Sequence, residues 1–136
     1  MKLVLDTNVL ISAIMFGGKS REILEMGISG KIKIATSQDI LKEFAEVLVG
    51  KKFRVSVSVV QQTIHELSQI AEVVIVTDRI NLIKNDPDDN RILECALSAK
   101  ANYIVSGDSD LLTLKKFKRI KILSPNDFLL QNLISP

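Results

Sequence analysis

The chain has 136 residues, of which 46% are hydrophobic and 25% charged, and its formal net charge is +2. This length predicts a single domain over residues 1–136, and the composition excludes both a disordered chain and a membrane-embedded one. The lone cysteine, Cys95, and the lone histidine, His65, argue against a disulfide, a zinc-ligand cluster and a Ser–His–Asp triad.

Strands and helices are predicted to alternate along the first half of the chain. An apolar run over 3–5 predicts a strand, and helices follow over 7–16 and 20–27, with Ser20 as a candidate cap. The alternating segment 31–36 predicts a second strand, after which Ser37 is expected to cap a helix to about Val49. Residues 55–60 alternate like a strand, but the apolar spacing that follows favours a helix over 56–70.

The same alternation continues in the second half. A third strand is predicted over 73–76, and a turn at 86–90, where Asp86 or Asp88 can act as the cap, leads into a helix through Lys100. A fourth strand over 103–106 and a short fifth strand over 120–123 precede a final helix that starts near Pro125. Strands that alternate with helices predict a three-layer α/β/α domain with a mainly parallel sheet of about five strands.

Acidic residues fall where two of the predicted strands end. Asp6 follows the first strand, and Asp108 and Asp110 follow the fourth. Because functional groups gather beyond the carboxyl ends of parallel strands, these acids are expected at one edge of the sheet. Taken singly, each of them also suits a turn or a helix cap.

Two predicted helices bring further carboxylates toward that edge. Glu43 borders the apolar stripe of the 37–49 helix, whereas Glu46 points further into solvent. Asp89 shares the apolar face of the next helix, and Glu94 points away from it. Converging acids repel one another without a cation, and carboxylate oxygens suit Mg²⁺ or Mn²⁺. Such an ion activates water for the hydrolysis of a phosphodiester.

Three segments of this sequence resemble the acidic motifs of PIN-domain ribonucleases. They are Leu5-Asp6-Thr7-Asn8-Val9-Leu10, the helix start Asp89-Asn90-Arg91-Ile92-Leu93-Glu94-Cys95-Ala96, and Tyr103-Ile104-Val105-Ser106-Gly107-Asp108-Ser109-Asp110-Leu111-Leu112. The resemblance covers nearly the whole chain. It is closest to the small, single-domain VapC-like toxins of prokaryotic toxin–antitoxin pairs.

The resemblance implies a Mg²⁺- or Mn²⁺-dependent endoribonuclease. Its catalytic and metal-binding acids would be Asp6, Glu43, Asp89 and Asp108, with Asp110 as a further ligand or a group behind it, and with Asn8 and Ser106 as residues that orient the acids. The second acid lies in a helix without a tight motif, so Glu46 stays an alternative to Glu43.

The expected partners are an RNA substrate, a cognate antitoxin that covers the active-site face, and a second copy of the chain. Basic stretches at 51–54 and 115–121 are candidates for holding the RNA backbone. The first and last helices carry more apolar residues than one sheet face needs, which predicts a homodimer; they are Val9, Leu10, Ile14, Met15 and Phe16, and Phe128, Leu129, Leu130, Leu133 and Ile134. No export signal precedes the first strand, so a cytoplasmic protein without membrane association is expected.

Two other functions fit parts of the pattern. Asp6 stands where a phosphatase nucleophile or a receiver-domain phosphoacceptor would stand, although a haloacid-dehalogenase-type phosphatase requires a second Asp at the position of Asn8. A non-catalytic PIN-fold module that binds RNA or protein is the other alternative. Metal-dependent cleavage of single-stranded RNA separates the nuclease from both.

Overall fold

The central sheet of the protein has six strands within the part of the chain that the structure describes. The computed structural model describes residues 1–84 and 86–134, with side chains up to Gln131. The strands are β1 (Lys2–Leu5), β2 (Lys33–Thr36), β3 (Ala71–Val73), β4 (Tyr103–Val105), β5 (Lys116–Phe117) and β6 (Ile120–Leu123). Their order is β3-β2-β1-β4-β6-β5, and all neighbours are parallel except β5, which is antiparallel to β6.

Helices connect and cover these strands. They are α1 (Thr7–Met15), α2 (Gly18–Ile28), α3 (Gln38–Val49), α4 (Val57–Ile70), α5 (Asp89–Ala99), α6 (Ser109–Leu114) and α7 (Pro125–Ile134). Leu3, Val4 and Leu5 of β1 are all buried, with at most 1% of each exposed. Because consecutive strand residues point to opposite faces, this burial requires cover on both sides of the sheet. The predicted three-layer α/β domain is therefore confirmed.

The predicted third strand exists, but its bounds are wrong, because it covers Ala71–Val73 and not 73–76. Helix α4 runs directly into β3, which pairs with β2 from Ile34↔Ala71 to Thr36↔Val73. Strand β2 stops at Thr36 because Ser37 caps α3 by accepting a hydrogen bond from the Ile40 N–H. The Val74 N–H still donates to the Thr36 carbonyl at 2.9 Å, but apolar residues beyond Val74 have no residue of β2 left to pair with.

Three other details of the secondary structure differ from or extend the sequence analysis. Helix α2 begins at Gly18, after Gly17 with φ of 92°, so Ser20 is a buried residue of the helix and not its cap. Helix α6 and the two-residue strand β5 were not predicted, and β5 makes the sixth strand. The ambiguous segment 55–60 does enter a helix, since Ser56 caps α4 by accepting from the Val59 N–H.

Candidate metal centre

Asp6 and Asp108 lie side by side because β1 and β4 are neighbours. The Asp6 N–H continues the ladder by donating to the Val105 carbonyl at 3.0 Å, and the Asp6 side chain caps α1 by accepting from Val9 at 2.8 Å. The buried Ser106 hydroxyl donates to the second Asp6 oxygen and accepts from the Asp108 N–H at 2.9 Å. Ser106 thus connects the ends of the two strands.

Helix α3 places Glu43 at the same edge. This helix packs against α1, and the Glu43 carboxylate accepts a hydrogen bond from the Thr7 hydroxyl. Glu43 is half-buried and lines the acidic pocket, whereas Glu46, one turn further along α3, is exposed.

Three aspartates form the tightest group of the site. Oxygens of Asp86, Asp89 and Asp108, one from each, all lie within 4.8 Å of one another. Asp89 begins α5 and is only 8% exposed, and the turn before it brings Asp86 close, with the Asp89 N–H donating to the Asp86 carbonyl at 3.0 Å. From the sequence, Asp86 is expected only as a candidate helix cap, and its place in this group appears only in the structure.

The pocket contains most of the predicted site residues. Its lining consists of Asp6, Thr7, Asn8, Glu43, Asp86, Asp89, Ile92 and Asp108. Asn8 contributes its backbone N–H to the Asp6 carboxylate. Asp110 is not part of this lining, and its backbone N–H donates to the Asp108 carboxylate at 2.7 Å. The structure thus brings together four of the five predicted acids and leaves Asp110 beside them.

Burial and mutual repulsion change the acidity of this pocket. Burial raises the pKa of Asp6 above its usual value, although its hydrogen bond from Ser106 opposes the rise. Burial also raises the pKa of Glu43, against the hydrogen bond from Thr7. Burial, and then the charges of Asp108 and Asp86, raise the pKa of Asp89 to about 8. Carboxylates that share a site without a compensating cation behave in this way.

The donor atoms of the pocket fit a hard divalent cation. One carboxylate oxygen of Asp89 is buried and has no hydrogen-bond partner within the described chain. A buried polar atom without a partner is uncommon and indicates a ligand or ion. The surrounding donors are carboxylate and hydroxyl oxygens, which is the ligand chemistry of Mg²⁺ and Mn²⁺.

Side chains of α5 that face away from the pocket bind the segment 79–83, which leads to Asp86. Glu94 points away from the pocket, as predicted, but it is buried and not solvated, with 1% exposed. It accepts hydrogen bonds from Arg79 at 2.9 Å and from the Ile80 N–H at 2.7 Å, and it forms an ion pair with Arg91 at 2.9 Å. The buried Asn90 side chain accepts from the backbone N–H groups of residues 82 and 83 and donates to the Ile83 carbonyl. The spacing of Glu94 along the helix did not reveal this role, because Arg79 and Ile80 lie 15 and 14 residues away in the sequence.

The fold and the pocket together define a class: a parallel α/β domain with an all-oxygen acidic site at the carboxyl ends of its strands. A family model described as the PIN domain matches residues 2–110. The chain therefore belongs to the PIN domain family. Among the described helices, none has the length and apolar character needed to cross a membrane.

Two solved structures are similar to this protein. VapBC2 from Rickettsia felis, bound to a DNA fragment from its promoter, has 17% identity and a TM-score of 0.64, covering 90% of this chain and 97% of that one. VapBC-1 from nontypeable Haemophilus influenzae has 18% identity and a TM-score of 0.62, covering 93% and 99%. At these identities the likeness shows the fold. A comparison with curated proteins gave no significant match.

Proposed function

We propose that this protein is a metal-dependent ribonuclease and the toxin component of a toxin–antitoxin pair. The observation that carries the proposal is the group formed by Asp86, Asp89 and Asp108, in which a buried Asp89 oxygen has no partner in the described chain. Membership of the PIN domain family and a fold similar to the VapBC structures support it.

Each acidic residue of the pocket has a proposed role. Asp89 and Asp108, together with Asp86 and Asp6, hold Mg²⁺ or Mn²⁺, and Ser106 keeps Asp6 and Asp108 in register. A divalent ion bound there supplies the positive charge that activates water and stabilises the developing charge on the phosphate. Glu43, oriented by Thr7, completes the acidic set from the α3 side.

The proposal includes an antitoxin, a homodimer and a cytoplasmic location. Part of the sequence argument for a dimer does not hold, because Val9, Leu10 and Phe128 belong to the core. Phe16, 69% exposed, and Leu130, 50% exposed, remain as apolar surface on α1 and α7 for a partner. Light scattering at tens of micromolar tests the dimer, and a strictly monomeric mass contradicts it.

The direct test measures cleavage of single-stranded RNA in two conditions, one with millimolar Mn²⁺ and one with chelator. Wild-type protein should cleave only with metal, and Asp89→Asn should lose at least about a hundredfold in rate, as expected when charge stabilisation of a transition state is removed. Asp127→Asn is the matched control, since Asp127 is exposed at the start of α7. Cleavage that survives the chelator or Asp89→Asn contradicts the proposal. Metal binding without cleavage would indicate a non-catalytic module.

A further inference from the structure

A second cavity opens at the amino edge of the sheet, opposite the acidic pocket. It has a volume of about 620 Å³. The last turn of α5, the first residues of β4 and the connection between β5 and β6 form its walls. Tyr103, which opens β4, and Lys121 of β6 are paired in the sheet and both line it.

The charge of this cavity is strongly positive. Its charged lining residues are Lys100, Lys118, Arg119 and Lys121, all exposed. No acidic residue of the described chain lines it, and none of these cations forms a salt bridge with residues 1–84 or 86–131. Glu72, which comes to the amino end of β1, is paired with Lys2. A concave surface with one sign of charge concentrates ligands of the opposite sign.

The turn at the rim of the cavity has a lysine, Lys118, at a position where Asn or Gly is favoured. Lys118 and Arg119 form the two-residue connection between β5 and β6, because Phe117 pairs with Ile120. Lys118 has a φ of 54°, a left-handed conformation that turns of this length usually give to Asn or Gly. Lys118 and Arg119 therefore lie at the tip of a tight turn, and the pairing of β5 with β6 fixes the position of this turn.

The remaining lining is apolar and aromatic. Leu97, Ala101 and Ile120 contribute apolar surface, and Tyr103 is half-buried with its ring packed edge-on against Phe128 at 5.7 Å. Cations beside an aromatic and apolar surface match a single-stranded nucleic acid, in which phosphates and unpaired bases are both accessible. An acidic peptide would pair with the cations but would make fewer contacts with the aromatic and apolar surface.

We propose that this amino-edge cavity binds the backbone of single-stranded RNA at a distance from the cleaved phosphate. The choice of RNA as the ligand rests on the proposed function, whereas the observation of a cationic cavity does not depend on it. Tyr103 and Asp108 are five residues apart in the chain, so their Cα atoms lie at most ~18 Å apart. The two edges of the sheet are therefore close enough for one RNA strand, running over the outside of the helices that cover the buried β4, to contact both.

The test measures binding without cleavage. The Asp89→Asn protein is titrated with a fluorescein-labelled single-stranded RNA 12-mer in chelator, over a series of KCl concentrations, by fluorescence anisotropy. Without divalent metal the acidic pocket repels phosphate, so binding reports the cationic surfaces.

The double variant Lys118→Asn with Arg119→Gln removes two charges, and Asn tolerates the left-handed backbone. Each lost phosphate contact lowers the slope of log K against log salt by about 0.7. We expect a slope reduced by about 1.4 and an affinity about tenfold or more weaker at 0.1 M salt.

Lys31→Ala with Lys42→Ala is the control, because both lysines are exposed outside the cavity and the loss of charge is the same. Equal slopes and affinities for the control and the cavity variant overturn the proposal. Binding of a polyglutamate peptide that depends on Lys118 and Arg119, with RNA binding that does not depend on them, would overturn it in favour of an acidic protein segment. Tight, cavity-dependent RNA binding by a protein that never cleaves RNA would defeat the proposed function and leave this inference standing.

Discussion

Helix α5 carries two buried carboxylates on opposite faces, and their surroundings differ completely. Glu94 is 1% exposed, accepts hydrogen bonds from Arg79 and the Ile80 N–H, and forms an ion pair with Arg91. Asp89 is 8% exposed and lies beside Asp86 and Asp108, and one of its oxygens has no partner in the described chain.

This difference separates a carboxylate that stabilises the fold from one that is available for a ligand. Burying a charge is costly unless it is paired and hydrogen-bonded. Around Glu94 the protein itself supplies two guanidinium groups and a backbone N–H. Around Asp89 it supplies further negative charge, so this carboxylate is available to a cation from solution. The following predictions test this contrast, from the largest expected effect to the smallest.

Removing the charge of Glu94 should be strongly destabilising. Glu94→Gln leaves Arg91 without its carboxylate partner and places an amide where two acceptor oxygens are needed. We expect a loss of about 2–4 kcal/mol in the free energy of unfolding, toward the lower end of the range for broken buried pairs because Arg79 is largely exposed. Urea denaturation measures it. Glu46→Gln, on an exposed site, should change stability by less than about 0.5 kcal/mol. Equal stability of both variants would show that the Glu94 contacts are not structural.

The two carboxylates on α3, Glu43 and Glu46, should differ in their effect on the rate of RNA cleavage. Glu43→Gln should lower the rate of Mn²⁺-dependent RNA cleavage by about a hundredfold, or about 2.7 kcal/mol of transition-state stabilisation, since Glu43 lines the pocket. Glu46→Gln should leave the rate unchanged. Single-turnover cleavage of one labelled RNA measures both. A loss with Glu46→Gln and none with Glu43→Gln would mean that the helix phase proposed for the site is wrong.

Neutralising Asp89 should stabilise the metal-free protein. Its pKa is raised to about 8 in the folded state, against a usual value of 3.8. The folded protein therefore holds this proton more tightly than the unfolded chain, and the free energy of unfolding falls as the pH rises from about 4 to about 8.

Asp89→Asn removes this penalty, so the variant should exceed wild type by about 0.5–2 kcal/mol at pH 8 and by much less at pH 5. Thermal melts in chelator at the two pH values measure the difference. Asp127→Asn should follow wild type at both. Destabilisation by Asp89→Asn in chelator would identify Asp89 as a structural residue of the α5 start.

A divalent cation should replace the missing partner of Asp89. Mn²⁺ at about five times its dissociation constant should stabilise wild type by about 1 kcal/mol, because the unfolded chain has no assembled site. The midpoint of thermal unfolding should rise by about 3–5 °C. The shift should be much smaller in Asp89→Asn and unchanged in Glu46→Gln. A shift of the same size in all three proteins would place the bound metal elsewhere.

The residues that local sequence patterns determine are those at element ends and on helix faces. Asp6 and Asp108 were expected at one sheet edge because each directly follows an apolar strand, and the neighbouring positions of β1 and β4 bring them together. Glu43 was expected to lean toward the core from its phase on α3, and the structure places it at the pocket. Such inferences succeed because strand and helix periodicity dictate which way a side chain points.

Residues whose position depends on distant contacts could not be obtained in this way. Asp86 lies in a turn, where no periodicity applies, and the preceding segment is held by Asn90 and Glu94. The ion pair of Glu94 with Arg79 joins residues that no local pattern connects. The third strand was misplaced for the same reason, because the end of β2 limits β3.

The basic run at 115–121 was visible in the sequence, but its shape was not. Only the tertiary structure turns it into a hairpin at Lys118 and Arg119 and sets Lys121 beside Tyr103 and the end of α5. Sequence periodicity encodes which face of an element is buried, and it therefore determined the layers and the direction of the acids at the candidate site. Which element covers that face is decided by packing between residues far apart in the chain, so the amino-edge cavity and the partners of Glu94 appear only in the folded protein.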